Sequence, residues 1–432
     1  MKDKNLFLKS TIILIISGFF TKTLGFIIRI VYTRIIGDYG ISLLTIATPT
    51  YSLLLTISTL ALPIAISKLV AENKGRSIRI LSTAAAIILT INFIIIIITI
   101  FTKDFIANTL LKEPLASPIL LAFSLTLPFV SISSVLKGYF AGKQNMIPHA
   151  TSNIIEQIIR LVLISTIIPI LMQKSVMLAI VGLILLTIIS EISSMVVFIF
   201  FLPKNIDYHT NLLPSKVITK KILDISIPSV SGRIIGNIGY FLEPIILTNI
   251  LIYLGYPTTY ILREYGAYNA YALSILTMPS FFIGAIATAL LPEISKEYRN
   301  GHIPKVKNRI KQAFLFAFII GFLFSLSIFI FRSNLLSILY NTDKGADYIK
   351  VLAPFFVLYY LEGVLTASLQ ALGQAKKNMQ ISLYGVLLKL FIMSFLCFCH
   401  IGIYSLIIAE IINIIFVVLI NFLVLKKTFI RT

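Results

Sequence analysis

Ten charged side chains lie inside stretches that are otherwise apolar. Five are cations, Lys22, Arg29, Arg160, Arg233 and Lys389, and five are acids, Glu156, Glu191, Glu243, Glu362 and Glu410. Each charge near a bilayer centre costs at least ~2.5 kcal/mol on insertion scales, so the set demands partners, water or a task. Their spacing points to a lined cavity. Gly18, Lys22, Gly25 and Arg29 follow a helical repeat and share one face. Asn153, Glu156 and Arg160 share another, with Glu156 and Arg160 placed to pair one turn apart. Arg233, Asn237 and Tyr240 make a third polar face beside Gly232, Gly236 and Gly239, and Glu243 precedes Pro244, where a helix can bend. Buried cations suit a phosphate. Buried carboxyls such as Glu191, Glu410, Glu156 and Glu243 suit a proton or sodium ion that drives movement, although packing against Arg160 or Lys389 accounts for Glu191 and Glu410 equally well.

Signatures of bond-making chemistry are thin. His149, His209, His302 and His400 are scattered, with none in a metal-ligand spacing, and no Gly-x4-Gly-Lys-Ser/Thr loop is present. The expectation is a protein that is not an enzyme and uses no cofactor or metal. Cys397 and Cys399 sit in one apolar run and are expected to pack.

These charges are positioned by long apolar helices. Of 432 residues, 58% are hydrophobic and 12% charged, against roughly 25% charged in a soluble domain, and mean hydropathy is +0.97. Runs such as TIILIISGFF and INFIIIIITI are helical spans rather than the alternating strands of a barrel. A span takes about 20 residues. By that measure there are twelve, near 8–36, 41–69, 79–101, 116–141, 149–171, 176–202, 222–253, 266–292, 312–331, 349–372, 379–399 and 401–425. The net charge of +20 reflects cations flanking spans and meeting membrane lipids, not nucleic acid. Loops on one side carry roughly threefold more Lys and Arg than loops on the other, which places both termini in the cytoplasm. The N-terminus mimics a signal peptide, yet its apolar stretch contains Lys22 and lacks a cleavage pattern, so it is expected to stay as the first span.

The chain also repeats itself. Leu62-Pro63 with Ile66-Ser67-Lys68 recurs as Leu291-Pro292 with Ile294-Ser295-Lys296, and Gly142-Lys143-Gln144-Asn145-Met146 as Gly373-Gln374 with Lys376-Lys377-Asn378-Met379. Arg160 corresponds to Lys389, and Ile188–Ile192 to Ile407–Ile411, which makes Glu191 and Glu410 equivalent. The order is kept throughout. The implied fold is an all-α membrane protein with twelve transmembrane helices in two like-oriented six-helix lobes around a central cavity. The lobes are 1–202 and 222–432, with a cytoplasmic linker over 203–221. Pro49, Pro63, Pro279 and Gly284 are flexing or packing positions within spans two and eight.

The stretches FFTKTLGFIIRIVYTRIIGDYGISLLTIATPTYSLLLTISTLALPIAISKLVAE and SVLKGYFAGKQNMIPHATSNIIEQIIR resemble the stage V sporulation protein B branch of the polysaccharide-exporter families, within the multidrug/oligosaccharidyl-lipid/polysaccharide flippase superfamily that also holds the lipid II flippases. The likeness is dense over 8–165 and looser beyond. It implies two lobes that rock between inward- and outward-facing states and move an undecaprenyl-pyrophosphate-linked sugar, with spore-cortex peptidoglycan as a setting. In lipid II flippases basic residues of the first, second and eighth helices line the cavity. Lys22 falls on the first such position, whereas the next family arginine lands on Ile28, beside Arg29. The second span has no arginine and the eighth none beyond Arg263 just before it, and the two extra C-terminal helices of those relatives have no counterpart before Thr432.

Together these readings predict a flippase of the bacterial cytoplasmic membrane, acting as a monomer on a lipid-linked glycan precursor, with proton or sodium coupling. Lys22 and Arg29 would attract phosphate, with Arg160, Arg233 and Asn237 as further substrate-binding residues. Two rivals remain: a cation-coupled multidrug exporter, in which cavity acids would dominate, and a non-transporting scaffold for cell-wall synthesis, indifferent to loss of the cavity charges.

Overall fold

A chain crossing hydrocarbon must satisfy every backbone N–H and C=O internally, and this sequence does so with helices alone. The computed structural model describes the backbone of residues 2–72, 77–202 and 214–430, and the side chains of 17–72, 77–202 and 214–429; among these no strand occurs. Most of the expected linker, 203–213, lies outside the described residues. The chain divides into two compact units, Met1–Phe241 and Leu242–Thr432, with the division inside one long helix rather than at 203–221.

In the first unit, α1 (Lys2–Thr59) is two helices joined at Gly37, whose φ of 72° and ψ of 176° only glycine adopts without strain. Leu60 and Ala61, both left-handed, then turn the chain into α2 (Leu62–Glu72), which starts with Pro63 where a missing N–H costs nothing. The other helices are α3 (Ser77–Phe105), extended by a π-helical turn over Ile106–Leu110, α4 (Ala116–Gly142), α5 (Ile147–Met172), α6 (Val176–Phe201) and α7 (Lys216–Tyr253), which runs into the second unit. Helix α4 lies hard against α2: a Cβ on Gly138 would sit 2.7 Å from Pro63 Cα, and one on Gly142 2.6 Å from the Ser67 carbonyl oxygen. In this unit the LP…ISK and GK segments therefore meet at a close helix crossing. Beneath it Leu62, Ile66, Ile88, Tyr139 and Phe198 form a buried core. Nearby Ser58 donates to Asn92 Oδ1 at 2.7 Å and is hydrogen-bonded to Ser131, all three fully buried.

The second unit holds α8 (Thr258–Gly266), a buried π-helical stretch over Ala267–Ala272, α9 (Leu273–Thr277), α10 (Ser280–Arg299), α11 (Ile303–Ile330), α12 (Arg332–Tyr340), α13 (Ala346–Ala371), α14 (Ala375–Phe398) and α15 (Tyr404–Ile430). The eighth span is expected near 266–292. In its place stand two helical pieces, Thr258–Thr277 and Ser280–Arg299, bent by 50° at Met278-Pro279, because proline cannot continue the first helix. Helix α7 begins six residues before the span expected from 222, its first turns being basic rather than apolar.

Among the described residues, ten helices are long and apolar enough to cross a membrane, or eleven if the bent pair counts as one span. The first of them, Ser17–Glu72, has 56 residues, about 84 Å of helix against ~30 Å of hydrocarbon. Large apolar side chains such as Phe93, Phe101, Phe200, Phe316 and Phe391 point outward from the bundles, as lipid-facing residues do. The packing partners repeat: α2 with α4, α3 with α4, α4 with α6 and α5 with α6 in the first unit, and α10 with α13, α11 with α13, α13 with α15 and α14 with α15 in the second.

Candidate functional site

Helices α1, α4, α5 and α6, together with the segment of α1 beyond Gly37, enclose a cavity of about 530 Å³ in the first unit. Its polar lining includes Arg29, Tyr32, Tyr51, Gln157, Arg160 and Glu191, beside three threonines. The stripe on α1 is only partly used: Gly25, Ile28, Arg29 and Tyr32 face the cavity, whereas Lys22 is exposed and does not line it. A Cβ on Gly25 would meet nothing nearer than Gln157 Oε1 at 3.8 Å, so that glycine is not required by a close approach.

Behind the wall stands a charge network. Glu156, 5% exposed, accepts hydrogen bonds from Arg160 Nη2 at 3.1 Å, Gln157 Nε2 at 3.2 Å and Lys137 Nζ at 3.3 Å. Arg160 also donates through Nε to Ser190 Oγ at 3.1 Å, and its Nη2 lies 3.7 Å from Glu191 Oε1. Two cations thus face two acids within the bundle, so that no charge of this cluster stands without an opposite one. The pairing at i, i+4 expected of Glu156 and Arg160 is present, and the same guanidinium also lines the cavity, so its structural and binding uses are not exclusive. Glu191 Oε2 is buried and has no hydrogen-bond partner. Tyr51 stacks on Phe123, ring centroids 4.3 Å apart and 18° from parallel, giving the cavity an aromatic wall.

The second unit carries a related but closed cluster. Lys389 Nζ on α14 lies 2.6 Å from Glu243 Oε2 on α7 and 2.5 Å from Glu410 Oε2 on α15, and Tyr265 donates to Glu243 Oε1 at 3.4 Å. Lys389 and both acids have side chains less than one-sixth exposed. Glu362, on α13, is half-buried. Arg233 is exposed, and Asn237 donates to Thr56 Oγ1 at 2.6 Å, tying α7 to α1 within the first unit. Among the described residues no group of three or more His, Cys, Asp or Glu side chains could hold a metal.

Sequence reasoning misses two parts of this arrangement. Lys137 stands near the C-terminal end of the fourth span and passes for a loop cation; its partner is 19 residues away, so no local spacing marks it. The Tyr51–Phe123 wall joins two helices far apart in sequence, with no local spacing to mark it.

Comparison with known proteins follows this geometry. The family model described as "Polysaccharide biosynthesis protein" matches residues 7–298, and the MatE model matches 244–396. Stage V sporulation protein B of Bacillus subtilis (strain 168) is 36% identical over 398 residues, 89% of this chain and 77% of the relative. Lipid II flippase MurJ of the same organism is 27% identical over 168 residues, 36% of this chain and 31% of the relative. Among solved structures, an inward-facing multidrug resistance MATE family transporter of the MOP superfamily superposes with a TM-score of 0.76 at 15% identity, covering 95% of each chain. A MOP superfamily transporter from Pyrococcus furiosus gives 0.67 at 17% identity, covering 99% of this chain and 96% of that one. The fold is that of these transporters.

Proposed function

The chain belongs to the polysaccharide biosynthesis protein family, and on that premise we propose that it is a flippase for a lipid-linked, pyrophosphate-bearing glycan precursor. The observation that carries the reading is the cavity of about 530 Å³ that Arg29 and Arg160 face inside an apolar bundle. A head group with negative phosphates must cross ~30 Å of hydrocarbon, and cations lining a cavity take the place of its water. The similarity to a sporulation protein and to a lipid II flippase supports a cell-wall precursor, with spore-cortex peptidoglycan as its setting.

The accompanying architecture is twelve crossings in two like-oriented halves, with Ser17–Glu72 counted as two spans on either side of Gly37 and the bent pair as one. The recurring helix pairings support it, and so does the pairing of Arg160 with Glu191 on α5 and α6 and of Lys389 with Glu410 on α14 and α15. The halves rock between two access states in the bacterial cytoplasmic membrane, with both termini cytoplasmic, the chain acting as a monomer, and a proton or sodium ion driving the cycle. A C-terminal tag accessible only from outside would refute this orientation.

The test of function is flipping of a labelled undecaprenyl-pyrophosphate glycolipid in liposomes. Arg29→Ala should slow flipping at least tenfold, while Lys305→Ala, on the surface with its side chain 69% exposed, should not change it. Lys22→Ala decides whether that exposed cation is a first contact for the phosphate. Full activity of well-folded Arg29→Ala and Lys22→Ala proteins would remove the cationic-cavity mechanism. A second reading, export of organic cations, is favoured by the second unit, where Glu243, Glu362 and Glu410 outnumber Lys389. It predicts ion-driven efflux of such cations and no flipping.

A further inference from the structure

We infer that the cavity of the first unit is a sugar subsite, in which Glu191 and the Tyr51–Phe123 wall hold a neutral, hydroxyl-bearing ring. This deepens the flippase reading and rests on it for the identity of the cargo, but the site itself is argued from its own residues. Glu191 is 5% exposed and lines the cavity, yet its Oε2 receives no hydrogen bond. A buried carboxylate oxygen is costly to leave unpaired, so a ligand entering here gains by supplying an O–H or N–H.

The charges around that oxygen select the donor. Arg29 and Arg160 bring guanidinium groups to the lining and Glu191 a carboxylate. An organic cation would pair with Glu191 but meet both guanidinium groups. A phosphate pairs with the guanidinium groups, as proposed above for the cargo's pyrophosphate, but brings no donor to Glu191 Oε2, which is left for another part of the head group. A sugar hydroxyl donates to a carboxylate and accepts from a guanidinium at once, and so satisfies both. The remaining lining suits the rest of such a ring, whose C–H faces are apolar: Tyr51 stacked on Phe123, with Ile164 and Leu183. The cavity of about 530 Å³ falls within the ~300–1,000 Å³ of small-molecule sites. The site is also held ready. Ser190 and Glu156 fix the Arg160 guanidinium at 3.1 Å each, which keeps it 3.7 Å from Glu191 rather than closed upon it.

The experiment is equilibrium dialysis of the full chain in lipid nanodiscs against three probes at millimolar concentration: radiolabelled N,N′-diacetylchitobiose, inorganic pyrophosphate and tetraphenylphosphonium. The disaccharide should bind saturably, Glu191→Ala should weaken it at least tenfold, and Tyr51→Leu, which keeps the apolar bulk, should weaken it by a similar factor. Thermal unfolding of each variant, and Lys305→Ala as a surface control, separate lost binding from lost folding. No saturable disaccharide binding by the wild-type chain overturns the inference. So does disaccharide binding that survives both substitutions, and so does Glu191-dependent binding of tetraphenylphosphonium alone. Flipping measured in parallel separates the two readings. Disaccharide binding without flipping supports the sugar site and removes the flippase, whereas flipping without disaccharide binding removes the sugar site alone.

Discussion

Replacing Lys389 by Met removes the one cation that Glu243 and Glu410 share. Its Nζ sits 2.6 Å from one carboxylate and 2.5 Å from the other, and the two acid side chains are 4% and 14% exposed. Water cannot easily take over. Breaking a buried ion pair from one side costs about 3–5 kcal/mol, because a charge is left behind without compensation; here two are left, facing each other. For a unit of this size each kcal/mol lowers the melting midpoint by about 2–4 °C, so Lys389→Met should lose about 6–20 °C. Lys311→Met, an exposed position on α11, should stay within about 0.5 kcal/mol of wild type. The triple variant Lys389→Met/Glu243→Gln/Glu410→Gln, neutral throughout, should recover most of the loss, since replacing a whole buried ion cluster is often neutral. The assay is thermal unfolding of detergent-purified protein, followed by circular dichroism and by loss of the monodisperse species. A wild-type midpoint for Lys389→Met would refute the view that this cluster braces the second unit.

Gly138→Ala and Gly142→Ala should each cost about 1–3 kcal/mol by overpacking, because the added methyl meets backbone of α2 at 2.7 and 2.6 Å; unchanged unfolding midpoints would show that α2 can move away. Ser58→Ala strips Asn92 Oδ1 of its donor and should cost about 1–3 kcal/mol, read in the same melt, with Ser134→Ala, whose hydroxyl bonds only its own helix backbone, nearly neutral. Glu113 lies in the turn between the π-helical end of α3 and α4, and burial pushes its carboxyl above the usual range against a weaker pull from the Leu115 N–H. Ionising it is harder folded than unfolded, so its contribution is present below the ordinary carboxylate range and is lost as pH rises from there through the raised folded-state value. Glu113→Gln should flatten that step in a pH series of melts.

Much of the helix count was open to a reader of the sequence because the bilayer sets element length and each apolar run declares itself. Boundaries were less open. The start of α7 at Lys216 is basic, and nothing in hydropathy separates a helix that projects into water from a loop. The 50° bend at Met278-Pro279 is signalled by the proline, but the π-helical stretch before it is not. Within the site, pairs that lie one turn apart, such as Glu156 and Arg160, follow from spacing. Contacts that close across helices do not: Lys137 with Glu156, Tyr51 with Phe123, and Lys389 with Glu243, which is 146 residues away. Helical periodicity places Lys22 and Arg29 on one face, but only packing decides that the cavity reaches Arg29 and stops short of Lys22.

The two units hold a cation on one helix against an acid on the next, yet they spend that shared pattern differently. In the second unit the cation is a lysine, a compact charge that fits between Glu243 and Glu410 with both contacts at hydrogen-bond distance, and the cluster closes. In the first it is an arginine, whose planar fork must be satisfied in several directions. Ser190 and Glu156 take two of them, and Glu191 stays 3.7 Å off with one oxygen unpaired. Closure in one unit pairs the lysine with both acids; incompleteness in the other leaves an acceptor and guanidinium donors facing a cavity. At matched positions of the repeat, the lysine closes its cluster and the arginine leaves one carboxylate oxygen unpaired at the cavity.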